Sequence, residues 1–328
     1  KVKYFGDLEQ VFAFHGPMPT GVTVSEEGRI FVNFPKWGDD VKFTVAEIVK
    51  NKLVPYPNMK VNKENYNNPS KNFISVQSVV ADGRGTLFVL DTASPMFCKP
   101  IKGGAKLVAV DLKTNKIRRI YTFSEEVVLP TTYLNDLRID YRVGKGGYAY
   151  ITDSSTKGIG GIIVLDLNSG EAFRRLNGDK STSPDPNFIP KVEGKVFLKR
   201  KKDGTTEQIN FAVDGIAISP DGEILYYCPL SSRNLYSIET ELLRDRSIPD
   251  KVLASCVKDL GEKGASDGLM SDAVGTIYAS DYENNSIRTI LPHGTMKTIA
   301  YDPRILWPDT LSIGPDKYLY FIANQLNR

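Results

Sequence analysis

Residues 135–153 alternate apolar and polar positions in two short runs. Leu137 and Ile139 mark the first, and Tyr148, Tyr150 and Ile151 the second, with Gly144, Gly146 and Gly147 between them and Asp153 at the close. Period-two alternation bounded by glycine and aspartate predicts two strands joined by a turn. The same plan recurs at residues 21–33, 77–91, 214–227, 267–281 and 309–321, which makes six copies. Their spacing is uneven, shortest from Asp267 to Asp309 and longest from Asn135 to Asp214. A helical solenoid keeps a tighter period. A radial array tolerates such insertions, because each unit contacts only its neighbours and the loops project from the faces.

Two further strands follow most copies. Residues 161–176 read as a strand, an Asn-Ser-Gly turn and a strand, and residues 106–121 match them in the preceding unit. Two inner and two outer strands make a four-stranded blade, so the pattern predicts an all-β, six-bladed β-propeller in one unit over residues 1–328. Residues 4–14 carry strand character (Val11, Phe12, Phe14) but have no blade of their own, whereas the last copy lacks outer strands. The expected closure is an N-terminal strand joining the last blade. One outer strand would still be missing, as if the chain were truncated at its C-terminal end. Loops are expected at residues 55–73, 95–105 and 178–190, an inserted hairpin at 196–211 with Asp203-Gly204 as its turn, and a short helix at 239–246.

Composition adds limits. The 328 residues carry a net charge of +3, which gives no reason to expect nucleic acid as a partner. The densest basic run, residues 199–202, sits beside the Asp203-Gly204 turn and reads as a solvated hairpin tip. No stretch approaches the roughly 18 apolar residues of a membrane helix, so no membrane partner is expected. The sequence begins at Lys1, so any signal peptide would already be gone. Cys98, Cys228 and Cys256 leave at least one thiol unpaired, and none has metal-ligand spacing. Cys228 falls in a predicted inner strand and reads as a small buried hydrophobe.

The candidate chemistry follows from the repeat. The first strand of each propeller blade lines the central channel, so the residue that opens it stands at one mouth. Those residues are Thr20 with Gly21, Gln77, Asn135 with Asp136, Asp214, Asp267 and Asp309. Polar groups from separate blades converging on one volume form a binding site for a small molecule. Gln77, Asn135, Arg138, Asp214, Asp267 and Asp309 are therefore the candidate ligand-binding residues. Carboxylates and amide oxygens also suit a hard divalent cation such as Ca²⁺, with Asn135, Asp214 and Asp267 as candidate ligands. Carboxylates crowded without a cation repel, and at least one pKa rises. The plain alternative is that each aspartate caps a turn at its strand's start, and a direct catalytic carboxylate is a third.

Asp153 and Asp281 close second strands and read as blade-to-blade hydrogen bonders. Arg138 alternates with Leu137 and Ile139, so it is buried or faces the channel. It is either an ion pair with Asp136 or Asp140, or an anion anchor. His15 and His293 offer no metal pair. No Gly-x-Ser-x-Gly elbow, phosphate loop or dinucleotide fingerprint is present. Trp37, Phe97, Tyr133, Tyr282 and Trp307 lie in or beside the between-copy loops, where they wall a flat-ligand pocket or simply pack the blades.

Several motifs resemble the major royal jelly protein / yellow family, bacterial members included. They are residues 135–140, 150–154, 161–166, 214–222, 225–230 and 235–238, then Trp307-Pro-Asp-Thr-Leu311 and Asn324-Gln-Leu326. The likeness runs from about Gly21 to Leu326. It implies a six-bladed, secreted or periplasmic protein that binds a small organic ligand at the channel mouth. Some members are linked to dopachrome conversion and some bind biogenic amines, so an isomerase or tautomerase step and an aromatic amine or catechol ligand are implied. A more distant likeness, to the gluconolactonase / senescence marker group, implies a metal-dependent lactonase-like hydrolase. There Asn135 and Asp214 or Asp267 would stand for the family's Asn and Asp, but Thr20-Gly21 occupies the place of its Glu. A non-catalytic structural or protein-interaction propeller is the third expectation.

Overall fold

The computed structural model describes residues 4–157, 159–201 and 203–328; Lys202, the end of the basic run, lies outside them. Five antiparallel four-stranded sheets follow one another along the chain. The first is β1 (Gly21–Val24), β2 (Ile30–Asn33), β3 (Val45–Val49) and β4 (Lys52–Pro55), followed by the one-turn helix α1 (Met59–Asn62). The second is β5 (Val76–Ala81), β6 (Thr86–Asp91), β7 (Lys106–Asp111) and β8 (Lys116–Thr122). The third is β9 (Leu134–Asp140), β10 (Tyr148–Asp153), β11 (Gly161–Asp166) and β12 (Ala172–Arg175). Two small hairpins come next, β13 (Lys191–Val192) with β14 (Lys195–Val196) and β15 (Leu198–Arg200) with β16 (Thr206–Gln208). The fourth sheet is β17 (Val213–Ile218), β18 (Ile224–Pro229), β19 (Asn234–Glu239) and β20 (Lys258–Glu262), with α2 (Thr240–Arg244) and α3 (Asp250–Ser255) before its last strand. The fifth is β21 (Leu269–Ser271), β22 (Ile277–Asp281), β23 (Ser286–Ile290) and β24 (Met296–Tyr301). A sixth sheet holds only β25 (Pro308–Ile313) and β26 (Leu319–Ala323).

This is an all-β propeller. The six repeats coincide with the first two strands of the six sheets. The innermost strands neighbour one another in the order β1, β5, β9, β17, β21 and β25, and β25 lies back beside β1. Sheets pack face to face, so both faces of a middle strand are covered, and every residue of β6 is buried. Leu90 and Leu107 of the second sheet meet Leu134, Leu137 and Ala149 of the third in one cluster. Tyr150, Ile162 and Val164 of the third meet Ile216 and Leu225 of the fourth in another.

Two expectations are corrected. Among the described residues five blades are complete, not six. The expected N-terminal strand is also not one: among the described residues, 4–14 form no strand, and Phe5 bridges Tyr301 of β24 in the fifth sheet rather than the sixth. The segment is held by side chains instead of a ladder. Leu8 packs against the cluster of Ile287, Ala300, Ile305 and Leu311, and Phe14 against that of Phe34 and Ile322. Gly6 at φ 92° and Gly16 at φ 127° break the extended run on either side.

Candidate functional site

Buried aspartates at the ends of second strands position the strands that begin at the mouth. Asp91 closes β6 and accepts from the backbone N–H groups of Ile74 and Ser75, just before β5. It also receives Lys106 Nζ at 2.7 Å, with both side chains at most 1% exposed. Asp153 closes β10 and accepts from Tyr133 N, just before β9, from Thr132 Oγ1 and from Arg174 at 2.9 Å. Asp281 closes β22 against Arg288 at 2.9 Å. Gly264, at φ 102°, runs so close that a Cβ there would meet Asp281 Oδ2 at 2.7 Å. Asp153 and Asp281 were expected to bond blade to blade; their named partners lie within their own blades or the segments leading into them. The physical reason is that the chain must re-enter each blade at its inner strand, and the exposed backbone N–H groups of that turn need an acceptor.

The strand-opening residues are buried together. Asp214 is 3% exposed, Gln77 6%, Asp309 7% and Asp267 8%. Asn135, partly buried, donates to Asp214 Oδ2 at 2.8 Å. Trp307 Nε1 donates to Asp267 Oδ2 at 2.6 Å, and Asn324 Nδ2 to Asp309 Oδ2 at 2.9 Å. Each carboxylate thus receives a neutral N–H donor, and no side-chain cation is bonded to any of the three among the described residues. Gly268 keeps the fifth and sixth sheets close at this level, since a Cβ there would lie 2.5 Å from the Asp309 carbonyl oxygen.

The electrostatic result is a set of reluctant anions. Burial holds Asp214 well above the usual carboxylate range, with the Asp267 and Asp309 charges adding to the effect. Burial likewise raises Asp309, helped by Asp267 and Asp136. Asp267 is pushed up to about 7, chiefly by burial and then by Asp136, against the opposing pull of the Trp307 indole N–H.

Arg138 lies at the inner end of this cluster. Its Nη1 reaches Asp136 Oδ2 at 3.2 Å and the Leu137 carbonyl, while Nη2 donates to the carbonyl of Leu269 in the fifth blade. The guanidinium therefore bars the channel between the third and fifth blades. Of the two expected partners, Asp136 takes Arg138, and Asp140 takes Arg142 at 2.8 Å.

Aromatic rings roof the mouth. Phe97 stacks on Trp37 with centroids 5.0 Å apart and lies 4.8 Å from Tyr133. Trp37 Nε1 donates to Tyr133 Oη at 2.8 Å, and Tyr133 Oη to Gln77 Oε1 at 2.7 Å. On the other side Trp307 stacks on Tyr282 at 4.2 Å and meets Phe197 at 5.1 Å. Phe97 also meets Phe211 at 6.1 Å, which links the two halves of the roof. Ala93, Met96 and Phe97 all adopt left-handed backbone, at φ 51°, 56° and 54°, to place that ring. The loop at residues 55–73 is docked elsewhere: Asn62 of α1 accepts from the backbone N–H groups of Thr44 and Val45 in the first blade.

The structure brings the strand-opening residues together at one end and places Trp37, Phe97, Tyr133, Tyr282 and Trp307 around them. Sequence reasoning missed the donors Trp307 and Asn324 as partners of Asp267 and Asp309, and Phe197 and Phe211 as roof residues. The aromatic flanks of the inserted hairpin were the available signal. The expected place of a metal-binding Glu is taken by Thr20, whose Oγ1 donates to the Gln77 carbonyl at 3.1 Å. Among the described residues no group of three or more His, Cys, Asp or Glu side chains is arranged to hold a metal ion. His15 and His293 are exposed. The three cysteines are free, with Cys228 buried in a hydrophobic cluster.

A family model described as major royal jelly protein matches residues 74–328. Major royal jelly protein 7 of Apis mellifera is 28% identical over 218 residues, covering 63% of this chain and 44% of that protein. Protein yellow of Drosophila yakuba is 25% identical over 264 residues, covering 73% of this chain and 45% of that protein. The chain thus matches less than half the length of each. In fold it is similar to a gluconolactonase from Xanthomonas campestris, with TM-score 0.55 and 11% identity over 94% of this chain and 84% of that one.

Proposed function

The chain belongs to the major royal jelly protein family, and on that premise we propose that its channel mouth binds a small organic cation, an aromatic amine or catecholamine. The observation that carries this reading is the trio Asp214, Asp267 and Asp309, buried under aromatic rings with only neutral hydrogen-bond donors as partners among the described residues. A buried anionic cluster is costly without a counter-charge, and an ammonium supplies one. Trp37, Phe97 and Trp307 offer faces for the flat part of the ligand and for cation–π contact. Phe97, 38% exposed on its left-handed turn, is the ring that moves aside to admit it.

The same site supports an isomerase or tautomerase step. A carboxylate with pKa near 7 takes and returns a proton at neutral pH with little cost in either direction. Asp267 fills that role, receiving a proton from one ligand atom and returning it to another. Secretion or periplasmic export belongs to this proposal through the family. Among the described residues no helix is long and apolar enough to cross a membrane.

A second reading assigns Asn135, Asp214 and Asp267 to a divalent cation and a lactonase-like hydrolysis. It draws on the same uncompensated charge and requires the Asn135 and Trp307 donors to turn away. One titration separates the readings. Melting temperature is measured against tyramine, dopamine and CaCl₂, for the wild type and Asp214→Asn. A saturable rise with the amines that Asp214→Asn abolishes supports the first reading. A rise with Ca²⁺ alone supports the second. No rise with any of them removes both.

A further inference from the structure

The opposite end of the channel is open. A funnel of about 510 Å³ is lined by residues of the six inner strands and the turns that follow them, Arg138 among them. That volume is within the range of small-molecule sites. Its walls are apolar, with Val24, Val80, Ile218 and Met270 among them.

The polar groups of the wall are already engaged. Thr23 Oγ1 accepts from Ala81 N and Ser312 Oγ from Val24 N, and Ser271 Oγ donates to the Ile218 carbonyl. Arg138 is different. Its side chain is 10% exposed, and its Nε is a buried donor with no partner. No other lining residue has such an atom among the described residues. An unpaired buried N–H on a permanent cation costs free energy until an acceptor arrives.

We propose that this funnel is a second ligand site, separate from the carboxylate mouth, which takes a small monocarboxylate with an apolar body. A carboxylate oxygen accepts from Arg138 Nε in a charge-assisted hydrogen bond, and the apolar body lies on the valine, isoleucine and methionine walls. The other charged groups set the limit. Glu26, Asp82 and Asp272 line the funnel together with Arg142, so a second negative charge on the ligand meets net repulsion and polyanions are excluded. This site does not depend on what the mouth binds.

The test is a calorimetric titration of the whole chain with benzoate, benzamide and inorganic phosphate, repeated on Arg138→Lys and Met270→Trp. Lys keeps the charge and loses the Nε donor, whereas Trp fills the half-buried wall and leaves Arg138 in place. Benzoate should bind saturably and at least ten times more tightly than benzamide. Phosphate should not bind, and each variant should weaken benzoate at least tenfold. Absence of benzoate binding, equal binding of benzamide, or unchanged affinity in Met270→Trp overturns the proposal. If Arg138→Lys does not fold, Met270→Trp alone decides between those outcomes.

Discussion

Asp267 is the residue on which the mouth's chemistry turns. Its carboxyl holds a proton more tightly folded than unfolded, since burial raises its pKa from 3.8 to about 7. Its contribution to stability is complete below about pH 4 and is lost as pH rises through 7. Urea denaturation at pH 5 and pH 8 should therefore show the wild type losing more stability than Asp267→Asn over that interval, by an amount on the order of a few kcal/mol. Equal losses would mean the carboxyl titrates normally. The same sign applies to binding: a cation prefers the ionised form, so tyramine affinity should rise with pH through about 7, with proton release visible as a buffer-dependent heat. The sequence made this residue legible, because a polar side chain opening every inner strand must point to one place. It did not reveal the partners. Trp307 lies 40 positions beyond Asp267 and reaches it only because the sixth sheet packs on the fifth, while Asn324 meets Asp309 across the β25–β26 pair.

At the level of elements, a few unforgiving contacts hold the blades and their neighbours in place. Lys106 and Asp91 bury opposite charges inside the second blade. Lys106→Met leaves the Asp91 carboxylate without its partner, which should cost about 3–5 kcal/mol in urea denaturation. The exposed pair Lys102–Glu125 should contribute less than about 1 kcal/mol by the same measurement. Similar costs for the two would contradict the burial argument. Gly268→Ala places a methyl on the Asp309 carbonyl and should destabilise by about 1–3 kcal/mol, whereas Gly28→Ala meets no atom but adopts φ 79° and should cost nearer 1 kcal/mol. Strands were the most legible elements, since each inner pair carries its own alternation and turn. The segment before β1 misled because Val11, Phe12 and Phe14 alternate as a strand would. Phe12 and Phe14 find apolar neighbours and Val11 stays exposed, but the backbone finds no ladder, and a sequence pattern does not report that. The short helix at Thr240–Arg244 was foreseen, while α1 and α3, of four and six residues, are too brief for a periodic signal.

Across the whole molecule, the ring joins five full blades to a two-stranded sheet held at β25, where Thr310 Oγ1 donates to the Thr20 carbonyl at 2.7 Å. Amide exchange should follow this asymmetry, with β26 exchanging faster than β18, which is flanked by strands on both sides. Equal protection would show that the sixth sheet shares the ring's full cooperativity. The roof holds a further consequence. The chain contains two tryptophans, and both belong to it: Trp37 under Phe97, Trp307 donating to Asp267. All indole emission therefore originates within the mouth's own shell. Intrinsic fluorescence, with no label and no engineered probe, is a local spectroscopic readout of that site alone. A change in emission as pH crosses 7 reports Asp267, and a change on adding an amine reports occupancy.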